Sequence, residues 1–160
     1  MLKKIILGLL ITAAISGCIK NSGTSYTCNF DPCSIHTPDS QITAVKNYLE
    51  SKNITATQHC SGLFYSIEDP GTGNTPTACS NVLVKYVGKF TNDSTFDHSD
   101  SAIFNLSGVI PGWTIGIPLV KPGGKIHLYV PPYLAYGQQN YMSIPGNSIL
   151  VFDVDLIAAQ

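Results

Sequence analysis

Arginine is absent from this chain of 160 residues, and all nine basic side chains are lysine. The planar forks that grip phosphates and carboxylates through two parallel bonds are therefore unavailable. Net charge is nearly absent too, at −1, which leaves no electrostatic footprint for nucleic acid. The one long apolar run, "IILGLLITAAI" at residues 5–15, falls short of the ~20 residues that cross a bilayer. No glycine-rich loop has the pattern that cradles phosphates. No Ser/His/Asp or Cys/His set has the spacing or context of a hydrolase. Tryptophan occurs once, at Trp113, in "VIPGWTIGIPLV".

What is present is core-forming material. The hydrophobic content of 44% supports one folded domain and lies far from a disordered composition. "MLKK" followed by the apolar run reads as a signal peptide over residues 1–17. It ends in Ile15-Ser16-Gly17-Cys18, which resembles a bacterial lipobox with Ile15 where leucine is usual. Cys18 is then the lipidation site and the first mature residue. The competing reading is an ordinary secretory signal with a chance cysteine. Several acyl chains on one cysteine hold firmly, because each buried methylene adds roughly 0.8 kcal/mol. Cleavage leaves seven lysines against ten acids, a mature charge of −3. With Ile19 after the cysteine, sorting of the enterobacterial type points to the outer membrane of a bacterial envelope; the residue does not choose the leaflet, and the periplasmic side is the expected location. Four further cysteines, Cys28, Cys33, Cys60 and Cys79, are an even set in an exported chain and read as disulfides. Three pairings are open. The rival is a metal site, but spacings of x4, x26 and x18 fit no zinc pattern. No metal and no cofactor are expected.

Residues 18–37 are polar, turn-rich and aperiodic, and read as a tether. Residues 38–61 hold a helix and a linker. Thr37 or Asp39 can cap that helix, Pro38 suits its first turn, Ile42, Val45 and Leu49 share a face, and Asn53 can close it. It is short, and the chain is expected to be a monomer. From residue 62 the period changes. "NVLVKYVG" sets Val82, Val84 and Tyr86 against Leu83, Lys85 and Val87. "KIHLYV" sets Ile126, Leu128 and Val130 against Lys125, His127 and Tyr129. "ILVFDVDLIA" sets Leu150, Phe152, Val154 and Leu156 against Val151, Asp153, Asp155 and Ile157. Such alternation marks half-buried strands. "STFD" and "AIFNL" read as two short extended pieces around a loop, and "WTIGIPLV" as a short helix limited by Pro118. The expected class is α+β: about five antiparallel strands with one short helix on their apolar face.

In order, "VKYVGKFTNDSTFD", "VIPGW", "VPPYLAYG" and "SILVFDVDLI" resemble the FK506-binding protein (FKBP) family of peptidyl-prolyl cis-trans isomerases, over residues 62–160. The resemblance implies a five-stranded antiparallel sheet wrapped around one helix, with an apolar pocket between them and the indole of Trp113 as its floor. The positions matching the family pocket are Tyr86, Phe96, Asp97, Val109, Ile110, Trp113, Tyr136 and Phe152. Among these it implies catalytic roles for Asp97, Tyr136 and Tyr86. The Ile110 N–H and the Tyr136 hydroxyl would be donors to substrate carbonyls, and Asp97 would bond Tyr86. The implied partners are proline-containing polypeptides and macrolides of the FK506 and rapamycin type. The implied role is assistance to the folding of exported envelope proteins. The alternative is a non-catalytic chaperone or peptide-binding module on the same fold.

Taken singly, these residues have plainer readings. Tyr86, Val109 and Phe152 fit a core, Asp97 a turn, and Tyr136 a loop anchor; only the ordered set points to a pocket. His98 and His127 read as surface residues. Two segments depart from the family pattern. "HSDSAI" at 98–103 is short, lacks a basic neighbour for Asp97, and puts Ala102 or Ile103 where an aromatic is common. "GQQNYMSIPGN" at 137–147 carries Tyr141 and Met142 as candidate lid residues. The family topology also implies that the strands entered by Cys60 and Cys79 are not neighbours. Each cysteine then pairs with Cys28 or Cys33, which clamps the tether to the domain.

Overall fold

Period-two alternation requires a sheet with one dry face. The computed structural model describes residues 28–160; the signal-peptide and Cys18 assignments, and the tether up to residue 27, lie outside that range. Six antiparallel strands form one sheet: β1 (Thr57–Gln58), β2 (Phe64–Asp69), β3 (Asn81–Phe90), β4 (Thr95–Asn105), β5 (Lys125–Val130) and β6 (Leu150–Ala159). Their order is β1-β2-β5-β6-β3-β4. The expected five strands become six because the linker contributes β1, a two-residue strand pairing Thr57 with Tyr65 and Gln58 with Phe64.

A second difference concerns β4. "STFD" and "AIFNL" are not separate pieces but one strand broken in register at two places. Asp100 and Ser101 together face Lys85, and Phe96 is the extra residue between the pairs Gly88–Asp97 and Lys89–Thr95. Each bulge interrupts the alternation, so the sequence loses the strand's period where the backbone does not leave the sheet. The second bulge turns the Phe96 ring over Gly88. A β-carbon there would lie 2.7 Å from Phe96 Cζ, so glycine makes room for that ring.

Helix α2 (Pro111–Gly116) packs on the inner face, and a 3-10 turn over Ile117–Leu119 continues it. Pro111 supplies the pre-set φ of a first helical position. Gly112 and Gly116, one turn apart, sit against the sheet; β-carbons there would meet Val130 Cγ1 and Leu128 Cδ2, each at 2.5 Å. The two glycines bring the helix axis close to β5. Trp113 is thereby buried among Val84, Leu128, Phe152 and Val154 in the main core.

Helix α1 (Asp39–Ser51) lies on the opposite face. Val45 and Leu49 pack there with Phe64, Tyr129 and Val151. Asn53 closes it in the left-handed region, φ 54°. Its N–H reaches the Glu50 carbonyl, and the next N–H, of Ile54, reaches that of Leu49, which together make a Schellman ending. Thr37 does not cap the helix: its hydroxyl donates to the Ser61 carbonyl at 2.6 Å, and Pro38 takes the cap position. Two disulfides, Cys28–Cys79 and Cys33–Cys60, tie the end of the tether to the domain. They match the pairing implied by topology, since β2 and β3 are separated in the sheet by β5 and β6.

Candidate active site

A cleft of ≈ 410 Å³ opens between α2 and the inner sheet face, lined by Tyr86, Phe96, Asp97, Phe104, Gly108, Val109, Ile110, Trp113, Tyr136, Tyr141 and Phe152. All eight expected residues meet there. Strand alternation delivers Tyr86 and Phe152, the bulge delivers Phe96 and Asp97, and the start of α2 delivers Ile110 and Trp113.

The floor is a box of rings. Trp113 meets Tyr86, Phe104 and Phe152 edge-on, with centroids 5.0, 5.4 and 5.3 Å away. Phe96 stands edge-on to Phe152 at 5.6 Å. Edge-to-face contacts suit the aromatic quadrupole and hold each ring in one orientation. The indole N–H is buried and has no acceptor among the described residues.

Polar groups are few and sit at the rim. The Tyr86 hydroxyl donates to Asp97 Oδ2 at 2.7 Å. Burial first, then this bond and the carboxylate charge, push the Tyr86 phenol well above its ordinary range. Burial also raises Tyr136, helped by Tyr141 and Asp97. Both phenols therefore remain donors through neutral pH. The Ile110 carbonyl accepts from the Trp113 and Thr114 N–H groups at 2.9 and 3.2 Å; its own N–H donates to no protein group among the described residues. That donor stands at the start of α2, beside the cleft.

Phe104 and Tyr141 line the cleft without having been assigned to the expected pocket. Phe104 supplies an aromatic wall one residue beyond the place expected for it. Ala102 is half-buried and Ile103 is exposed, so neither fills that role. Tyr141 stacks flat on Tyr136, centroids 4.5 Å apart and planes 8° apart. A closed turn holds it: the Tyr141 and Ile144 backbones exchange bonds of 2.9 and 2.8 Å, and Ile144 is buried. Tyr141 thus forms part of the cleft wall, with 47% of its surface exposed. Met142 is 90% exposed and does not line the cleft. The signal for Tyr141 was an aromatic in the loop that carries Tyr136; its stacking partner was not legible from spacing.

His98 is exposed. His127 lies on the outer face, with Nδ1 2.7 Å from Asp153 Oδ1 and Nε2 3.5 Å from Glu68 Oε2. The one His/Cys/carboxylate group close enough to hold an ion, among the described residues, is Cys33, His59 and Cys60. Its two sulfurs are joined in a disulfide and offer no thiolate.

Comparison with known proteins gives a consistent result. The profile of one family, described as FKBP-type peptidyl-prolyl cis-trans isomerase, matches residues 73–157. The FKBP-type peptidyl-prolyl cis-trans isomerase FkpA of Aeromonas hydrophila is 45% identical over 104 residues, which cover 62% of this chain and 39% of that protein. The crystal structure of FkpA from Escherichia coli superposes with a TM-score of 0.69 at 38% identity, covering 76% of this chain and 60% of the other. A peptidyl-prolyl cis-trans isomerase from Pseudomonas syringae gives a TM-score of 0.67 at 29% identity, covering 78% of this chain and 97% of that one. The chain spans well under half the length of the curated FkpA relative from Aeromonas.

Proposed function

Because the chain belongs to the family of FKBP-type peptidyl-prolyl cis-trans isomerases, we propose that it catalyses rotation about X–Pro bonds in polypeptides of the cell envelope and so assists their folding. The observation that carries this reading is the convergence of seven aromatic rings, one of them in the Tyr86–Asp97 pair, on a cleft with a backbone donor at its edge that has no protein partner among the described residues.

Rotating an X–Pro bond breaks amide conjugation, against a barrier of about 18–20 kcal/mol. The planar amide is polar; the twisted transition state has lost resonance and is less charge-separated. The apolar ring floor of the cleft, once the proline ring covers it and displaces water, favours the second over the first, and that difference is catalysis. Proline brings no N–H that needs an acceptor, so its ring can settle on Trp113 between Tyr86, Phe96, Val109 and Phe152 at little polar cost. The Ile110 N–H and the Tyr136 hydroxyl hold the flanking carbonyls. Asp97, bonded by Tyr86, sets the field over the rotating one. No nucleophile, metal or cofactor enters the scheme. The same cleft would accept macrolides of the FK506 and rapamycin type.

The reading extends to the address. Residues 1–17 act as a lipoprotein signal peptide, Cys18 carries the acyl chains, and residues 18–37 tether a monomeric domain to the periplasmic side of the outer membrane. Fatty-acid labelling of the expressed protein, lost in Cys18→Ser, supports this; equal labelling of both forms removes the anchor from the scheme.

The activity is tested by the cis-to-trans rate of a proline tetrapeptide with wild-type protein, Asp97→Ala and Trp113→Ala, each checked for folding. Acceleration by the wild type that falls in both variants supports the assignment. A folded wild type that binds proline peptides but does not accelerate them indicates a non-catalytic peptide-binding module.

A further inference from the structure

The residue that presents Tyr136 to the cleft is held from outside the family-matched span. Tyr136 follows the sequence Pro131-Pro132-Tyr133-Leu134-Ala135, and Pro132–Leu134 form a 3-10 turn. Within that turn the Leu134 N–H reaches the Pro131 carbonyl, and those of Ala135 and Gly137 reach Pro132, at 2.9, 3.0 and 2.8 Å. Prolines 131 and 132 carry no N–H. Of the turn residues 132–134, the donor left over is Tyr133, which has no acceptor within the turn. Its N–H donates to Gln41 Oε1, 2.8 Å away, across 92 residues of sequence. Gln41 lies in the first turn of α1, well before residue 73 where the family match begins.

The two ends of this bond are themselves fixed. Val45 and Leu49 of α1 are buried against Phe64, Tyr129 and Val151. Thr37, just before α1, is bonded to Ser61. Tyr129, under α1, is the residue before Val130, where β5 ends and the turn begins. On the far side, the Pro132–Gly137 bond brackets Tyr136, and Gly137 in turn accepts from the Asn147 N–H at 2.9 Å. A shift of the turn is therefore a shift of the Tyr136 hydroxyl.

We infer that Gln41 is a positioning residue for the active site: through the Tyr133 N–H, the N-terminal helix sets the turn that aims Tyr136 at the substrate carbonyl. The inference rests on the isomerase reading for its kinetic consequence, and on the bond alone for its structural one.

The test compares five forms of the full chain: wild type, Gln41→Met, Gln41→Glu, Tyr136→Phe, and Gln41→Met with Tyr136→Phe. Methionine keeps the length and removes the acceptor; glutamate keeps an acceptor oxygen. Gln41→Met is expected to raise amide hydrogen exchange at residues 133–137 and nowhere in the β3–β6 core. It is expected to lower kcat/KM for a proline peptide by about three- to tenfold, the range for one net hydrogen bond. Gln41→Glu should restore both. In the Tyr136→Phe background Gln41→Met should cost less than twofold, because the hydroxyl it positions is gone. Unchanged exchange at 133–137 overturns the inference whatever the kinetics. So does an equal kinetic loss with and without the Tyr136 hydroxyl. If the wild type shows no turnover, the isomerase reading fails, and exchange at 133–137 still decides the structural claim.

Discussion

The two faces of the sheet are built from the same strands and behave differently. On β6, Phe152 points inward to Trp113 and Phe96, while its neighbour Val151 points outward to α1. The inner face collects rings into a cleft with the Tyr86 and Tyr136 hydroxyls, the Asp97 carboxylate and the Ile110 N–H at its rim. The outer face is divided. Under α1 it is dry, with Phe64, Tyr129 and Val151 covered. Beyond α1 it carries a chain of polar contacts: Lys89 to Asp153 at 2.7 Å, Asp153 to His127 at 2.7 Å, and His127 to Glu68 at 3.5 Å. The contrast separates chemistry from support. Burial on the inner face creates a binding surface, and burial on the outer face fixes the frame that holds it.

The comparison breaks most sharply at β6. Phe152→Ala should cost about 3–5 kcal/mol of stability and remove most proline-peptide binding. Val151→Ala, one residue away, should cost about 2 kcal/mol and leave kcat/KM near the wild-type value at a temperature where both are folded. Denaturant melts and steady-state rates on the pair decide this; equal kinetic damage contradicts the division of faces.

The disulfides come next. Replacing Cys33 and Cys60 together by serine opens a loop of 27 residues and should lower stability by about 2–4 kcal/mol. Turnover per folded molecule should stay close to wild type, because neither cysteine lines the cleft. Asp97→Ala should act in the opposite sense. It removes the acceptor of the Tyr86 hydroxyl and should reduce kcat/KM about tenfold, the value of one charge-assisted bond, with a small change in melting temperature.

The smallest effect lies in the acid limb. Burial pushes the Asp153 carboxyl up, but the bonds from Lys89 and His127 outweigh it and hold it below its ordinary range. A carboxyl with a depressed folded-state pKa adds stability that is complete above the unfolded value of about 3.9 and is lost as pH falls through the folded one. Asp153→Asn should flatten the loss of stability below about pH 4 and leave activity at neutral pH unchanged.

Particular residues explain how far the sequence could be read. Val82, Val84 and Tyr86, or Leu150, Phe152 and Val154, repeat at period two and reveal their buried face directly. Tyr129 shares its strand face with Lys125 and His127, and only the arrival of α1 buries it; no local pattern carries that. The β4 strand reads as two pieces because its bulges at Phe96 and at Asp100–Ser101 break the period, the first of them at the point that aims Phe96 and Asp97. The pocket set was legible through ordered motifs. Tyr141 is legible as a candidate lid residue, but its stacking on Tyr136 is not, and neither is Gln41, since each contact is set by tertiary structure: a ring at 4.5 Å and an N–H at 2.8 Å.

The central claim is that the inner face performs the isomerisation and the outer face only supports it. The most direct measurement is exchange NMR of one proline peptide, giving its cis–trans rate with wild type, Trp113→Leu and Tyr129→Leu, all verified as folded. The account predicts fast exchange with wild type and Tyr129→Leu, and a rate reduced about tenfold or more with Trp113→Leu, as when a group acting in the transition state is removed. Equal rates for the two variants would contradict it.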